Sequence, residues 1–425
     1  MNTEPTRKHH PRRGNLAGHG YFKRLGPGIV TGAADDDPSG IGTYSQVGAA
    51  FGLQLVWTTI VALPFAIAVQ EATARLGLGS GKGLASLIKA NFRRWVLFLA
   101  LALVVGANTF NIGADLGSMA AATNLVVPVP ELILVILFGL GIAALEIAVP
   151  YHRYSRILRW LCLSLVSYLV VLLIVDVAWA DVASKLFVPR LEFDRSQIAA
   201  LIAIFGTTIS PYLFFWQTAE EVEELNDGGH GGLPTREQLA AMRGDVVAGM
   251  SSGVVTMFAI MVTAAATLHT GGVTSIGTAE EAAQALEPLA GRLAELVFTL
   301  GILGTGLLAV PVLAGSTSYA IAETFGWREG LSLKMSQARA FYWVIIASMF
   351  AGMTMNVLGL DPVRGLYWSA ILNGVAAPPL IFMIFLLARK RSILGINASG
   401  IVSQVVVASA ALLSAALPIL YLFAR

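Results

Sequence analysis

The sequence predicts an all-α integral membrane protein of about eleven transmembrane helices, and three observations predict it. Of 425 residues, 56% are hydrophobic and 13% charged, about half the charged share of a soluble domain, and mean hydropathy is +0.71. The charges fall between long apolar runs, each near the roughly 20 residues that span a bilayer. Basic residues favour alternate loops, as membrane orientation requires.

The chain opens on a basic stretch with Arg7, Lys8, His9, His10, Arg12 and Arg13. No small-residue cleavage site follows the first apolar run, so residues 1–24 read as a retained cytoplasmic tail. Apolar runs then fall at roughly 26–48, 52–73, 95–123, 131–149, 157–179, 197–218, 244–268, 292–321, 340–359, 366–388 and 400–423. Loops assigned to the inside hold Arg75, Lys82, Lys89, Arg93 and Arg94; Arg153, Arg156 and Arg159; Arg328, Lys334 and Arg339; and Arg389, Lys390 and Arg391. The outside segment from His269 to Leu289 is acidic, with Glu280, Glu281 and Glu287. This pattern puts the N-terminus in the cytoplasm of a prokaryotic inner membrane and the C-terminus outside. It divides the chain into two five-helix halves, 25–180 and 181–391, and an added helix in 392–425.

Several classes are excluded. A net charge of +2 without an aromatic-interleaved basic patch argues against nucleic acid. The single cysteine, Cys162, forms neither an intrachain disulfide nor a metal cage and reads as a packing residue. Gly77 to Gly83 lacks the Ser or Thr of a phosphate loop, and no catalytic or cofactor motif survives inspection. The chain therefore reads as a transporter without a resident cofactor, and a monomer is compatible with the pattern.

Two spans are interrupted. The first contains Asp35-Asp36-Asp37-Pro38-Ser39-Gly40 and the sixth Gly206-Thr207-Thr208-Ile209-Ser210-Pro211-Tyr212. Proline removes a backbone donor and glycine loosens the helix. Carboxylates in a membrane segment are costly and mark functional paths. The two breaks open corresponding helices of the two halves, the usual place of a transporter's binding site. Freed carbonyls beside a carboxylate suit a hard cation. Against this, Pro211 alone reads equally well as an ordinary kink. Glu146 reads as a helix-end carboxylate paired with His152 or Arg153. Glu220, Glu221, Glu223 and Glu224 read as a solvated helix end more readily than as a cation funnel.

The chain resembles the Nramp family of divalent metal-ion transporters over nearly its whole length. The resemblance rests on Gly26-Pro27-Gly28, Asp37-Pro38-Ser39-Gly40, Ala74-Arg75-Leu76-Gly77 with Gly81-Lys82-Gly83-Leu84-Ala85, Ser210-Pro211-Tyr212, Ala265-Ala266-Thr267-Leu268-His269, Ala285-Leu286-Glu287-Pro288-Leu289 and Phe325-Gly326-Trp327-Arg328. It implies the leucine-transporter fold: inverted five-helix repeats, broken first and sixth helices, and alternating access. It further implies Asp37 as the anionic metal ligand and the Thr207 carbonyl as another, with Pro38 and Pro211 at the breaks. The family's metal-binding asparagine and methionine are Gly40 and Ser210 here. A hydroxyl in place of a thioether favours harder ions, such as magnesium or manganese, and leaves room for retained water.

The family's proton-handling Asp, Glu and His fall at Asn111, Ala114 and Tyr212. Transport is then expected to run uncoupled, unless Asp35, Asp36, Asp115 or Glu146 takes over the proton. Asp36, Asp115, Tyr212 and Asn373 are accessory candidates. The alternatives are a carrier of the same fold for an amino acid or amine, and a channel-like or regulatory protein that binds metal without turnover.

Overall fold

The computed structural model describes residues 26–149, 166–189, 191–227 and 234–424. The basic tail, His152, Arg153, Cys162 and the glycine-rich stretch 228–233 lie outside them. Among the described residues every regular element is helical, and nine helices are long and apolar enough to cross a membrane.

The first span is two short helices, α1 (Pro27–Asp35) and α2 (Pro38–Phe51). Next come α3 (Thr58–Ser80), the short α4 (Leu84–Asn91), the long α5 (Arg94–Val126) and α6 (Glu131–Ala148). The expected span at 157–179 is described only from Val166. It continues as α7 (Val166–Ile174), which ends before the exposed Asp176, and a separate α8 (Trp179–Phe187) follows. The sixth span is again a pair, α9 (Arg195–Thr208) and α10 (Pro211–Asp227). The remaining long helices are α11 (Arg236–Ala264), α12 (Ala294–Phe325), α13 (Arg339–Val357), α14 (Pro362–Ala388) and α15 (Ile401–Phe423).

Two boundaries differ from the sequence reading for identifiable reasons. α11 starts eight residues earlier than the apolar run, because Thr235 and Gln238 form a reciprocal capping box. α3 runs on through Glu71 and Arg75, so Arg75 is a buried helix residue and not a loop charge. It pairs with Glu71 one turn away and donates to the Asn397 carbonyl at 2.8 Å. The carboxylate makes burial of the guanidinium tolerable.

Burial separates the centre from the rim. The most apolar stretch of the α9–α10 pair is 94% buried, against 28% for α6 and for α15. α6, α13 and α15 carry exposed Leu137, Phe350 and Leu412, side chains suited to lipid. The centre is built by α1–α2 and α9–α10 packed among α5, α11, α12 and α14. α1 meets α11 at glycines: a methyl at Gly28 would lie 2.7 Å from the Val246 nitrogen, and one at Gly32 would strike the Gly249 backbone. Small residues four apart allow this close approach in membranes.

Both breaks have local causes. Asp37 is the N-cap of α2, and Pro38 at its first position needs no backbone donor. Pro211 likewise opens α10, and α9 ends two residues before Ser210.

Candidate functional site

Asp37 is 1% exposed and lies where α1 gives way to α2. Its Oδ1 accepts the Ser39 hydroxyl at 2.6 Å and the Gly40 N–H at 2.7 Å. Its Oδ2 accepts the Asn111 amide Nδ2 of α5 at 2.9 Å. Three donors thus serve one carboxylate, holding it in one orientation and offsetting part of its desolvation. Asn111 keeps its own Oδ1 unpartnered among the described residues, so a bare acceptor sits beside the carboxylate.

The second break faces the first. Ser39 Oγ is 3.2 Å from Thr207 Oγ1, and Tyr44 Oη is 2.8 Å from Thr208 Oγ1. The Tyr212 hydroxyl donates to the Ala34 carbonyl at 2.7 Å, tying the start of α10 to the end of α1. The Ser210 hydroxyl turns back on its own chain, 2.7 Å from the Thr207 carbonyl and 2.9 Å from that of Gly206. In this state the Thr207 carbonyl is satisfied internally, and a rotation of Ser210 would free it. Gly40 contributes its N–H to Asp37. A methyl there would lie 3.5 Å from Thr207 Oγ1, so a side chain at 40 would enter the space between the breaks.

The accessory candidates divide. Asp115 lies one helical turn beyond Asn111, is fully buried, and has no hydrogen-bond partner for either oxygen among the described residues. Asp37 and the Ser39 backbone are its electrostatic neighbours. Asp36 turns instead toward α11, beside Thr256, and Asp35 turns the same way toward Gly253. Asn373 is buried on α14, with both amide atoms unpartnered among the described residues. Glu146 is buried and unpartnered among them too, and His152 and Arg153 lie outside them.

Sequence reasoning missed several polar residues around the site. Tyr44 follows Asp37 by seven residues, two turns along the same helix face, and that spacing was a usable signal. Thr31 donates to Gln217 at 2.5 Å, and Gln217 donates to Glu221 at 2.9 Å. The solvated reading of the acidic run therefore fails for Glu221, which is 3% exposed. It fails also for Glu223, which accepts from Tyr319 and from the Leu331 and Ser332 backbone. A hydrophilic run at a helix end gives no warning that neighbouring helices will enclose it.

Among the described residues the ion pairs of Glu71 with Arg75 and Arg243, and of Asp361 with Arg364, lie away from the breaks. Among the described residues, Asp35, Asp36, Asp37 and Asp115 are thus four buried carboxyl groups without a basic side chain bound to them. Among the described residues no three His, Cys, Asp or Glu side chains converge to hold a metal. Any cation here must draw on carbonyls, hydroxyls, amides or water as well.

The family described as natural resistance-associated macrophage protein-like, Nramp, matches residues 28–424. The chain belongs to the Nramp family. It is similar to the divalent metal cation transporter MntH of Klebsiella pneumoniae (strain 342), 29% identical over 374 residues, 85% of this chain and 84% of that one. MntH of Deinococcus radiodurans is 27% identical over 391 residues, 87% of this chain and 83% of that one. In fold, this Nramp member resembles the manganese transporter of Eremococcus coleocola, with a TM-score of 0.76 at 17% identity, covering 96% of this chain and 87% of that one. It also resembles MhsT, solved with L-phenylalanine, at a TM-score of 0.65 and 15% identity over 95% and 99% of the two chains. The fold is thus that of the leucine-transporter class, and the chain is a transporter rather than an enzyme.

Proposed function

We propose that this Nramp member carries divalent metal cations inward across the cytoplasmic membrane by alternating access. The observation that carries the reading is the Asp37 carboxylate, buried in the first helix break and held there by Ser39, Gly40 and Asn111, with Ser39 also touching Thr207 of the second break. In this reading Asp37 offsets the cost of stripping water from the ion. Asn111 Oδ1, the Thr207 carbonyl released by rotation of Ser210, and retained water complete an oxygen shell. Such a shell suits magnesium and manganese and disfavours soft ions. The halves 25–180 and 181–391 move about the site, with the N-terminus on the cytoplasmic side. Among the groups bonded to Asp37, none is a second carboxylate, so the ion moves down its own gradient and the membrane potential. The organic-substrate alternative is not favoured, because the relatives that span most of the chain are divalent metal cation transporters.

The test is uptake into sealed proteoliposomes, with manganese and magnesium in separate runs and a pH dye inside. Saturable uptake that is lost in Asp37→Ala, with a flat pH trace, is expected. Absence of uptake by folded protein would reject the reading. Internal acidification would reject its uncoupled part.

A further inference from the structure

The three consecutive aspartates of the first break do not serve one site. On an intact helix neighbouring carboxylates point about 100° apart. Here α1 ends at Asp35, and Asp36 leaves the helix with ψ of 43°. That turn lets Asp35 and Asp36 converge on α11 while Asp37 faces α5.

They converge where α11 has no side chain. The point at which Gly253 would carry a Cβ lies 3.4 Å from Asp35 Oδ2, 3.6 Å from the Gly32 carbonyl oxygen and 3.7 Å from Asp36 Oδ1. The Thr256 hydroxyl stands beside Asp36. Asp35 is 2% exposed and Asp36 6%. Asp35 Oδ1 has no hydrogen-bond partner among the described residues. Among the described residues no basic side chain pairs with either carboxylate. Two carboxyl groups, a carbonyl and a hydroxyl therefore border one space in the membrane interior, where a charge without a counter-ion is expensive.

We propose that Asp35, Asp36 and the Gly32 carbonyl form a second cation site, between the first helix break and α11, for a hard divalent ion. Its donors are all oxygen, the preference of magnesium and manganese rather than softer metals. Its two carboxylates balance two positive charges, which a monovalent ion would leave half unmatched. An ion seated among the three oxygens would hold them at the roughly 2.0–2.6 Å of hard-ion coordination, and waters over Gly253 fill the remaining positions. Gly253 is the residue that leaves room. Bound there, the ion caps the end of α1 against the bare face of α11, opposite to the Gly28 contact. The site uses none of the groups that bond Asp37, so it stands apart from the transport site proposed above.

The experiment is manganese binding by equilibrium dialysis to the full chain in lipid nanodiscs, with wild type, Asp37→Ala, Asp35→Asn/Asp36→Asn and Gly253→Ala. The alanine methyl meets its neighbours at ordinary contact distance, so it occupies the space without forcing the backbone. Two manganese ions per wild-type chain are expected, and one in Asp37→Ala. The double asparagine variant should lose the other ion, and Gly253→Ala should weaken it about tenfold or more. Magnesium should displace both ions, and sodium at equal ionic strength neither. A single wild-type ion, lost in Asp37→Ala, would overturn the second site and leave the transport reading intact. Two ions unaffected by the Asp35, Asp36 and Gly253 changes would also overturn it, as would displacement of the second ion by sodium alone. One ion lost only in the Asp35/Asp36 variant would support this site and count against Asp37 instead.

Discussion

Asn111 of α5 donates its side-chain amide to Asp37 Oδ2 at 2.9 Å, so the side chain that a neighbouring helix bonds to the carboxylate of the first break is a neutral one. Replacing Asn111 with Asp would set two carboxyl groups at hydrogen-bond distance, where they share a proton. Metal binding by Asn111→Asp should then release about one proton, and its affinity should fall as pH falls. Calorimetry in buffers of different ionisation enthalpy measures the release. Equal proton counts for the variant and wild type would show that Asn111 does not govern coupling.

Ser210 offers only a hydroxyl, turned toward the Thr207 and Gly206 carbonyls. Ser210→Met adds a polarisable sulfur between the breaks and removes that internal bond. Competition assays should show manganese and cadmium gaining on magnesium by about tenfold, the scale of about 1.4 kcal/mol in one ligand contact. An unchanged ion ranking would mean that position 210 does not contact the ion.

Asp245 of α11 accepts the Gly28 N–H at 2.6 Å and caps the start of α1. A carboxylate at a helix N-terminus is held by both hydrogen bonding and the helix dipole. Charge-assisted bonds contribute about 1.5–3 kcal/mol. Asp245→Ala should therefore speed amide hydrogen exchange in the first turns of α1 by about tenfold or more. Exchange at the wild-type rate would show that the glycine contacts alone hold α1 on α11.

Glu71 accepts from both Arg75 and Arg243, whose side chains are 3% and 57% exposed. Glu71→Ala strands a buried guanidinium and should cost about 3–5 kcal/mol. Arg243→Ala removes a largely solvated partner and should cost about 1 kcal/mol or less. Thermal unfolding in detergent would rank the two. Equal Tm values would show that Arg75 finds enough compensation in the Asn397 carbonyl.

Glu329 lies beyond α12, where burial first, then Glu323 and Glu223, push its carboxyl up to about 9 from an ordinary 4.5. Between those values the folded chain keeps a proton that the unfolded chain has lost. Stability therefore falls as pH rises through that window and levels off above it. Glu329→Gln removes this titration, so its Tm should decline less between pH 6 and pH 9 than that of wild type. Parallel declines would place the pH dependence elsewhere.

Much of the architecture was legible because bilayer crossing imposes a one-dimensional code. Apolar runs had to be long, and loop charges had to alternate. The Asp37–Pro38 and Ser210–Pro211 breaks were readable because proline and an N-cap act within one turn. The family motifs placed Asp37 and Thr207 at those breaks. The second-span boundary was misread at Arg75: its ion-pair partner Glu71 lies one turn away, but the Asn397 carbonyl that takes its other donor and the Arg243 that shares Glu71 come from distant parts of the chain.

By itself, then, the sequence determined that the chain is an all-helical membrane transporter with two broken helices and acids at the first break. Only the tertiary structure decided how those acids are used. Asp37 turns to Asn111, Asp35 and Asp36 turn to the open face of Gly253, and Asp115 remains buried one turn from Asn111. The physical reason is that a carboxylate's role in low dielectric depends on which donors, carbonyls or gaps surround it. α5, α11 and α14 bring those surroundings from far along the chain, at separations that no local pattern encodes.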